Sequence, residues 1–457
     1  MAGASLPTRP SSRFSVIALA LALIGSAAML NYYLNWFLPR AREVKAAKGL
    51  VGYSFGDDLY TVWYGEHAVS QRYGDLYSPA ITHEIQMGLY GRSIDLSRPG
   101  DPKDLRVFGY PAFTELLFWP VSLFPFELAR LVFLFIQIPL IVVTTVLWMR
   151  ALSWHPDWPS TAVLFLLVLT SYSALEALYA GQVGVFVSFV LAASIVALQR
   201  GRLLLAGALM ALGTIKPHVM LLPILYLGLW SLHDWRRRRM FCVGLFSTEA
   251  LLVGSALIVW PHWIQSWLNV VFRYHGYTPP SLTIQMLTTL AGPAARPAAL
   301  LAMATLLVVA VVLSWQNRSA SLDSPDFWFT LSILLSITVV VLLPGHAVYD
   351  HLILMPGIFL LAITWRRLPE NWAMKAMLIT AVGTLLWPWF ASILLIPIHS
   401  LLARREFYSM AILAIPLRMA AGLPFIVLAL LALAYRASRQ CSVASRPQGS
   451  RLVADGW

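Results

Sequence analysis

From Leu203 to Ser231 the chain reads LLLAGALMALGTIKPHVMLLPILYLGLWS. The stretch is apolar enough for a bilayer, but Gly213, Lys216 and Pro217 break it in the middle. Arg200 and Arg202 precede it and Arg236–Arg239 follow it, so the positive-inside rule puts both of its ends on the cytoplasmic side. Two half-helices of about 12–14 residues, at 1.5 Å per residue, each rise only about 20 Å. The Lys216-Pro217-His218 tip therefore falls within the membrane thickness, towards the outer leaflet. Irregular backbone at that depth survives only against protein or a wet cavity. The stretch implies a polytopic helical membrane protein with a cavity open to its outer face.

Composition agrees. Of 457 residues, 59% are apolar and 12% charged, the latter about half the usual share, and the mean hydropathy is +0.70. These values exclude a disordered chain and argue against a soluble enzyme, which would lack polar surface to cover its exterior. The net charge of +12 fits cations collected in cytoplasmic loops; no recognised nucleic-acid module accompanies it. Cys242 and Cys441 are too far apart in sequence to indicate a staple, and no metal-ligand spacing occurs. Neither a Walker A, a G-x-G-x-x-G nor a G-x-S-x-G motif is present, so no metal or cofactor is expected.

Working outward, Phe14–Leu38 is too long for a cleaved signal and ends in Tyr32, Tyr33 and Trp36, which suit a membrane interface. It is read as a retained first transmembrane helix. Residues 39–108 form the longest polar stretch. Apolar runs then recur to residue 435, with 110–125 interrupted by Pro111, Pro120 and Pro125 and 351–364 short for a crossing. About ten full spans, or about 10–12 membrane helices in all, are expected from the 20-residue requirement. Arg9, Arg13, Arg150, Arg318, Arg366, Arg367 and the tail from Arg436 fall on one side with the arginines above. The expected organisation is a cytoplasmic N-terminus (1–13), the first helix (14–38), an extracytoplasmic loop (39–108), a multi-helix membrane domain (109–435) and a cytoplasmic tail (436–457).

The outer loop opens on Gly56-Asp57-Asp58-Leu59-Tyr60-Thr61-Val62-Trp63-Tyr64. A carboxylate pair there serves either as an ordinary helix N-terminus or as a positioned base. Gly181-Gln182 is a short outer turn. Lys216 is costly at membrane depth and points to an interior partner or an anionic substrate. His346, Tyr349, Asp350 and His351 cluster at the outer end of a span, without a metal-binding pattern. Arg404 and Arg405 stand outside, against the charge rule, and suit lipid headgroups or a substrate phosphate equally.

In their order, Asp58-Leu59-Tyr60 with Trp63-Tyr64, Tyr110-Pro111, Gly181-Gln182 and Lys216-Pro217 resemble glycosyltransferase family 87, whose members are polytopic enzymes of the GT-C class. The likeness is clear over Asp57–Trp235 and continues beyond it mainly in hydrophobic rhythm. It implies transfer of a hexose, mannose in characterised relatives, from a polyprenyl-phosphate-linked donor to a lipid or glycan acceptor at the outer face, in glycolipid or cell-envelope biosynthesis. Characterised relatives invert the anomeric centre and use an aspartate of the first outer loop as base, and the resemblance implies the same here. Asp58 occupies that position; the doubled Asp57-Asp58, and Leu59 where an aromatic is common, leave the choice between the two carboxylates open.

Such chemistry needs a base for the acceptor hydroxyl and fixed positive charge for the leaving phosphate. Lys216 is the first candidate for the phosphate, with His218, His346, His351, Arg404 and Arg405 behind it. Tyr60, Trp63, Tyr64, Tyr110, Gln182 and Tyr349 are expected to line the substrates. The expected setting is the plasma membrane, with both termini cytoplasmic and the active site facing outward. The rival reading is a transporter or flippase of lipid-linked sugars, since broken helices with a midplane charge serve transporters as well.

Overall fold

The computed structural model describes residues 12–70, 75–98, 100–365 and 372–444. Arg9, Arg366, Arg367 and most of the tail, which entered the orientation argument, lie outside the described residues. Apart from one isolated bridge between Ser281 and Pro344, the regular structure of the described residues is helical, an all-α polytopic membrane fold.

Among the described residues, six helices are long and apolar enough to cross a membrane: Ser15–Ala46, Phe126–Ala151, Trp235–Val259, Pro293–Gln316, Pro325–Leu342 and Trp372–Leu401. Two bent pairs, Trp158–Leu169 with Tyr172–Ala180 and Ile415–Ala421 with Leu423–Gln440, raise the number to eight if each is one span. The rest of the expected ten to twelve are shorter apolar helices, among them Gly184–Gln199, Leu203–Ile215, Pro217–His233 and Val348–Thr364. Their lengths fall under the roughly 20 residues that a crossing needs.

Burial separates the helices into shells. Pro325–Leu342 has 83% of its span buried, whereas the other five long helices have 17–39%. Apolar side chains such as Phe135, Ile258 and Leu301 lie on exposed outer faces. An outward-facing apolar belt of this extent is what lipid contact requires. Pro325–Leu342 is the pillar around which the others stand.

The first helix runs further than its composition indicates, continuing past Leu38 to Ala46. Pro39 lacks an N–H and clashes with the preceding turn; a π-helical turn at Tyr32–Phe37 comes just before it, widening the ladder there. The Leu203–Ser231 stretch breaks where expected. Leu203–Leu212 passes through a 3-10 turn at Gly213–Ile215, Lys216 is non-helical (φ −120°, ψ 78°), and Pro217 starts the next helix.

Leu203–Leu212 and Trp235–Val259 rise side by side. Gly207 and Gly244 allow backbone-to-backbone packing, and further along Thr214 Oγ1 donates to Glu249 Oε2 at 2.9 Å. The arginine-bearing turns gather at one end of the molecule: Arg238 donates to the Trp230 and Arg318 carbonyls, and Asn317 to the Tyr435 hydroxyl. The Lys216 tip lies at the other end.

Within the 39–108 loop, Asp57–Ser70 and Pro79–Tyr90 are helices. Ser78 caps the second, accepting from the Ile81 N–H, and Gly91 closes it in the left-handed region. Both helices join the main core through Leu59, Val62, Ile81 and Ile85. The loop is therefore packed onto the membrane domain rather than standing free.

Candidate active site

The helix Asp57–Ser70 carries its two carboxylates in its first turn, and Gly56 ties that turn to the membrane domain through its N–H to the Tyr179 carbonyl, 2.8 Å. Gly181 ends the Tyr172–Ala180 helix at φ +68°, and a Cβ there would stand 2.7 Å from the Leu59 Cβ. The tight turn brings Gln182 beneath Asp58. Gln137 Nε2 fixes the turn by donating to the Gln182 carbonyl at 2.6 Å.

These elements enclose a cavity of about 550 Å³ at the end of the molecule opposite the arginine turns. Asp57, Asp58, Tyr110, Gln182, Lys216, His218, His346 and Tyr349 all line it, so residues from five separate stretches of sequence meet there.

A polar chain crosses its floor. Gln182 Nε2 donates to Asp58 Oδ2. Lys216 Nζ donates to Gln182 Oε1 at 2.8 Å and to both Asp350 oxygens at 2.8 and 2.9 Å. Gln182, Lys216 and Asp350 are only 2%, 4% and 3% exposed, and the Tyr349 ring lies 4.8 Å from the ammonium. Asp58, Gln182, Lys216 and Asp350 thus form a continuous sequence of acceptor, amide, cation and carboxylate. Gly184 is necessary to it, because a Cβ there would fall 2.2 Å from Asp350 Oδ1.

On the other side of the acidic pair stands Arg106, held at φ +50°. Its guanidinium donates to Asp58 Oδ1 and, at 2.8 Å, to Asp57 Oδ2, and its Nε lies 3.3 Å from Asp104 Oδ2. Burial pushes the Asp57 carboxyl up to about 6; the Arg106 charge opposes the rise and the Asp58 charge adds to it. Burial moves His346 the other way, below its ordinary value.

The remaining expected site residues lie elsewhere. On the Asp57–Ser70 helix, Tyr60 stacks on Tyr64 and tilts against Trp63, and Tyr60 and Trp63 meet the Phe126 ring edge-on and tilted. Residues 57, 58 and 61 line the cavity, and 60, 63 and 64 are not part of its wall. His351 is buried just behind Asp350 and is not in the cavity wall. Arg404 and Arg405 are exposed on the short helix Arg404–Phe407, also away from the cavity.

Sequence reasoning did not single out Arg106, Asp104 or Gly184, and it noted Asp350 without assigning it. Asp350 had a usable signal: a lysine buried at membrane depth needs a carboxylate, and few acids border the apolar runs. Arg106 had none, being one cation in a long polar loop. Among the described residues no group of three or more His, Cys, Asp or Glu side chains is placed to hold a metal ion.

The family model of glycosyltransferase family 87 matches residues 108–344. That stretch includes Tyr110-Pro111, Gly181-Gln182 and Lys216-Pro217; the Asp57-Asp58 turn lies well before its start. No curated protein and no solved structure matches the chain. The match spans half of the chain and includes Gln182 and Lys216 of the cavity floor, and the chain belongs to glycosyltransferase family 87: it is a membrane glycosyltransferase, acting on a sugar donor and an acceptor.

Proposed function

We propose that this enzyme transfers a hexose, mannose in the first instance, from a polyprenyl-phosphate-linked donor to a hydroxyl of a lipid or glycan acceptor. The transfer takes place at the extracytoplasmic face of the plasma membrane, with inversion. Asp58 is the general base. The acceptor oxygen bonds to the anomeric carbon as the bond to the phosphate oxygen breaks; Asp58 takes the hydroxyl proton and the lipid phosphate leaves as an anion. A phosphate needs no acid to leave, unlike the two-carboxylate arrangement of most glycosidases.

The observation that carries this reading is the setting of Asp58. It faces the cavity while Arg106 and Gln182 each donate to one of its oxygens. A carboxylate has about four lone-pair sites, so the acceptor hydroxyl still has a place. The test is transfer in detergent by the full chain, given polyprenyl-phosphate mannose and a lipid extract. A new glycosidic bond of inverted configuration is expected. Failure with mannose, glucose and arabinose donors, together with translocation of a labelled lipid-linked sugar in proteoliposomes, would replace the enzyme reading with the flippase.

The acidic pair also predicts a pH limb. Below about 6 Asp57 gains a proton, loses its charge, and loosens the Arg106 bridge that fixes Asp58. Turnover is therefore expected to fall as pH drops through about 6, and Asp57→Asn is expected to abolish that limb. A kcat profile across the mildly acidic range checks both.

A further inference from the structure

Four cations line the cavity, Arg42, Lys45, Arg106 and Lys216, and they divide by what neutralises them. Arg106 is bridged to Asp57, Asp58 and Asp104, and Lys216 to Asp350. Among the described residues no carboxylate lies within salt-bridge distance of Arg42 or Lys45. Arg42 instead donates to the neutral Tyr179 hydroxyl at 3.2 Å. Glu43, on the same short helix, is taken by Arg40 at 2.8 Å. An anion arriving at Arg106 or Lys216 has to displace a carboxylate from a partly or fully buried pair; at Arg42 and Lys45 it displaces none.

The placement of the two free cations has a direction. They lie on the Leu38–Ala46 continuation of the first membrane helix, and its cavity-lining residues are Leu38, Ala41, Arg42 and Lys45, with Phe37 just before them. Spacings of three, four and seven put them on one face. Over about 10 Å, at 1.5 Å per residue, that face passes from hydrocarbon to cation where the helix emerges from its apolar portion. Lys45 lines the same cavity as Asp57 and Asp58, so the cationic end shares that space with the acidic pair. Hydrocarbon followed by an anion is the chemistry of a lipid phosphate; a soluble nucleotide donor would have no use for the apolar end.

We propose that Arg42 and Lys45 hold the donor's phosphodiester, with Phe37 and Leu38 against the first units of its lipid chain. Lys216 is then a positioning residue: by donating to Gln182 Oε1 it turns the amide so that Nε2 faces Asp58. The assignment rests on the lipid-phosphate-sugar reading above. When the anomeric C–O bond breaks, its electron pair passes to the phosphate oxygen, and the lipid monophosphate formed remains against the two cations.

The test uses the full chain in neutral detergent with uncharged lipid. Donor kinetics with polyprenyl-phosphate mannose, and direct binding of sugar-free polyprenyl phosphate, are measured for wild type, for Arg42→Gln/Lys45→Gln and for Lys216→Gln. Each lost charge-assisted contact is worth about tenfold, so the double variant is expected to raise donor KM and weaken polyprenyl-phosphate binding by at least about tenfold. Its acceptor KM is expected to stay unchanged. Lys216→Gln is expected to lower kcat with donor KM and polyprenyl-phosphate binding preserved.

Unchanged donor KM and polyprenyl-phosphate binding in the double variant would overturn the assignment. So would an effect confined to vesicles containing phosphatidylglycerol, which would assign the cations to bulk lipid headgroups. If wild type transfers none of the sugars, the functional reading fails, and polyprenyl-phosphate binding alone still decides whether Arg42 and Lys45 form a lipid-phosphate site.

Discussion

Asp58→Asn is expected to lower transfer by about 10²–10⁴-fold, the usual contribution of a positioned general base, with donor KM and expression close to wild type. Asparagine keeps the shape of the side chain and one carbonyl oxygen for Arg106 or Gln182, but it cannot accept the acceptor's proton. Asp57→Asn is the informative control. Asp57 shares the guanidinium of Arg106 with Asp58 but has no contact with Gln182 comparable to that of Asp58. Its loss is expected to change the pH profile and to reduce the rate by no more than about tenfold, the loss of one charge-assisted contact. Equal rates for wild type and Asp58→Asn would remove Asp58 from the mechanism; a larger loss in Asp57→Asn would exchange the two roles.

The parts of this site that were legible in sequence are those whose cost shows locally. A Gly-Thr-Ile-Lys-Pro-His break in an apolar run is a violation of helix and membrane rules at once, and the structure has a non-helical Lys216 at that point. Two adjacent aspartates opening a helix are likewise visible. What sequence does not show is pairing. Lys216 read as a cation waiting for an anion because Asp350, 134 residues away, carries no mark of being its partner. Tyr60, Trp63 and Tyr64 read as substrate platforms because they follow the aspartates, yet Tyr60 and Trp63 meet the Phe126 ring and Tyr64 lies against Tyr60. Gln86, in a loop that reads as solvated, is buried with its amide bonded to the Leu105 carbonyl and the Ile94 N–H. Long-range partners, rather than local propensity, decide all three.

Lys216→Met is expected to destabilise the protein by about 3–5 kcal/mol, because it leaves the Asp350 carboxylate buried without its counter-charge. Asp350→Leu alone strands the ammonium in the same way. The double variant Lys216→Met/Asp350→Leu removes both charges, and replacing a whole buried pair with apolar side chains is commonly neutral or stabilising. Thermal unfolding in detergent is therefore expected to recover towards wild type. Activity is not. Without the ammonium on its oxygen, the Gln182 amide is free to turn over and present that oxygen to Asp58, two acceptors facing each other. The double variant should fold well and turn over at least about tenfold more slowly, the loss of one charge-assisted contact. Full recovery of turnover along with stability would show that the buried pair serves the fold alone, and that Asp58 owes its orientation to Arg106.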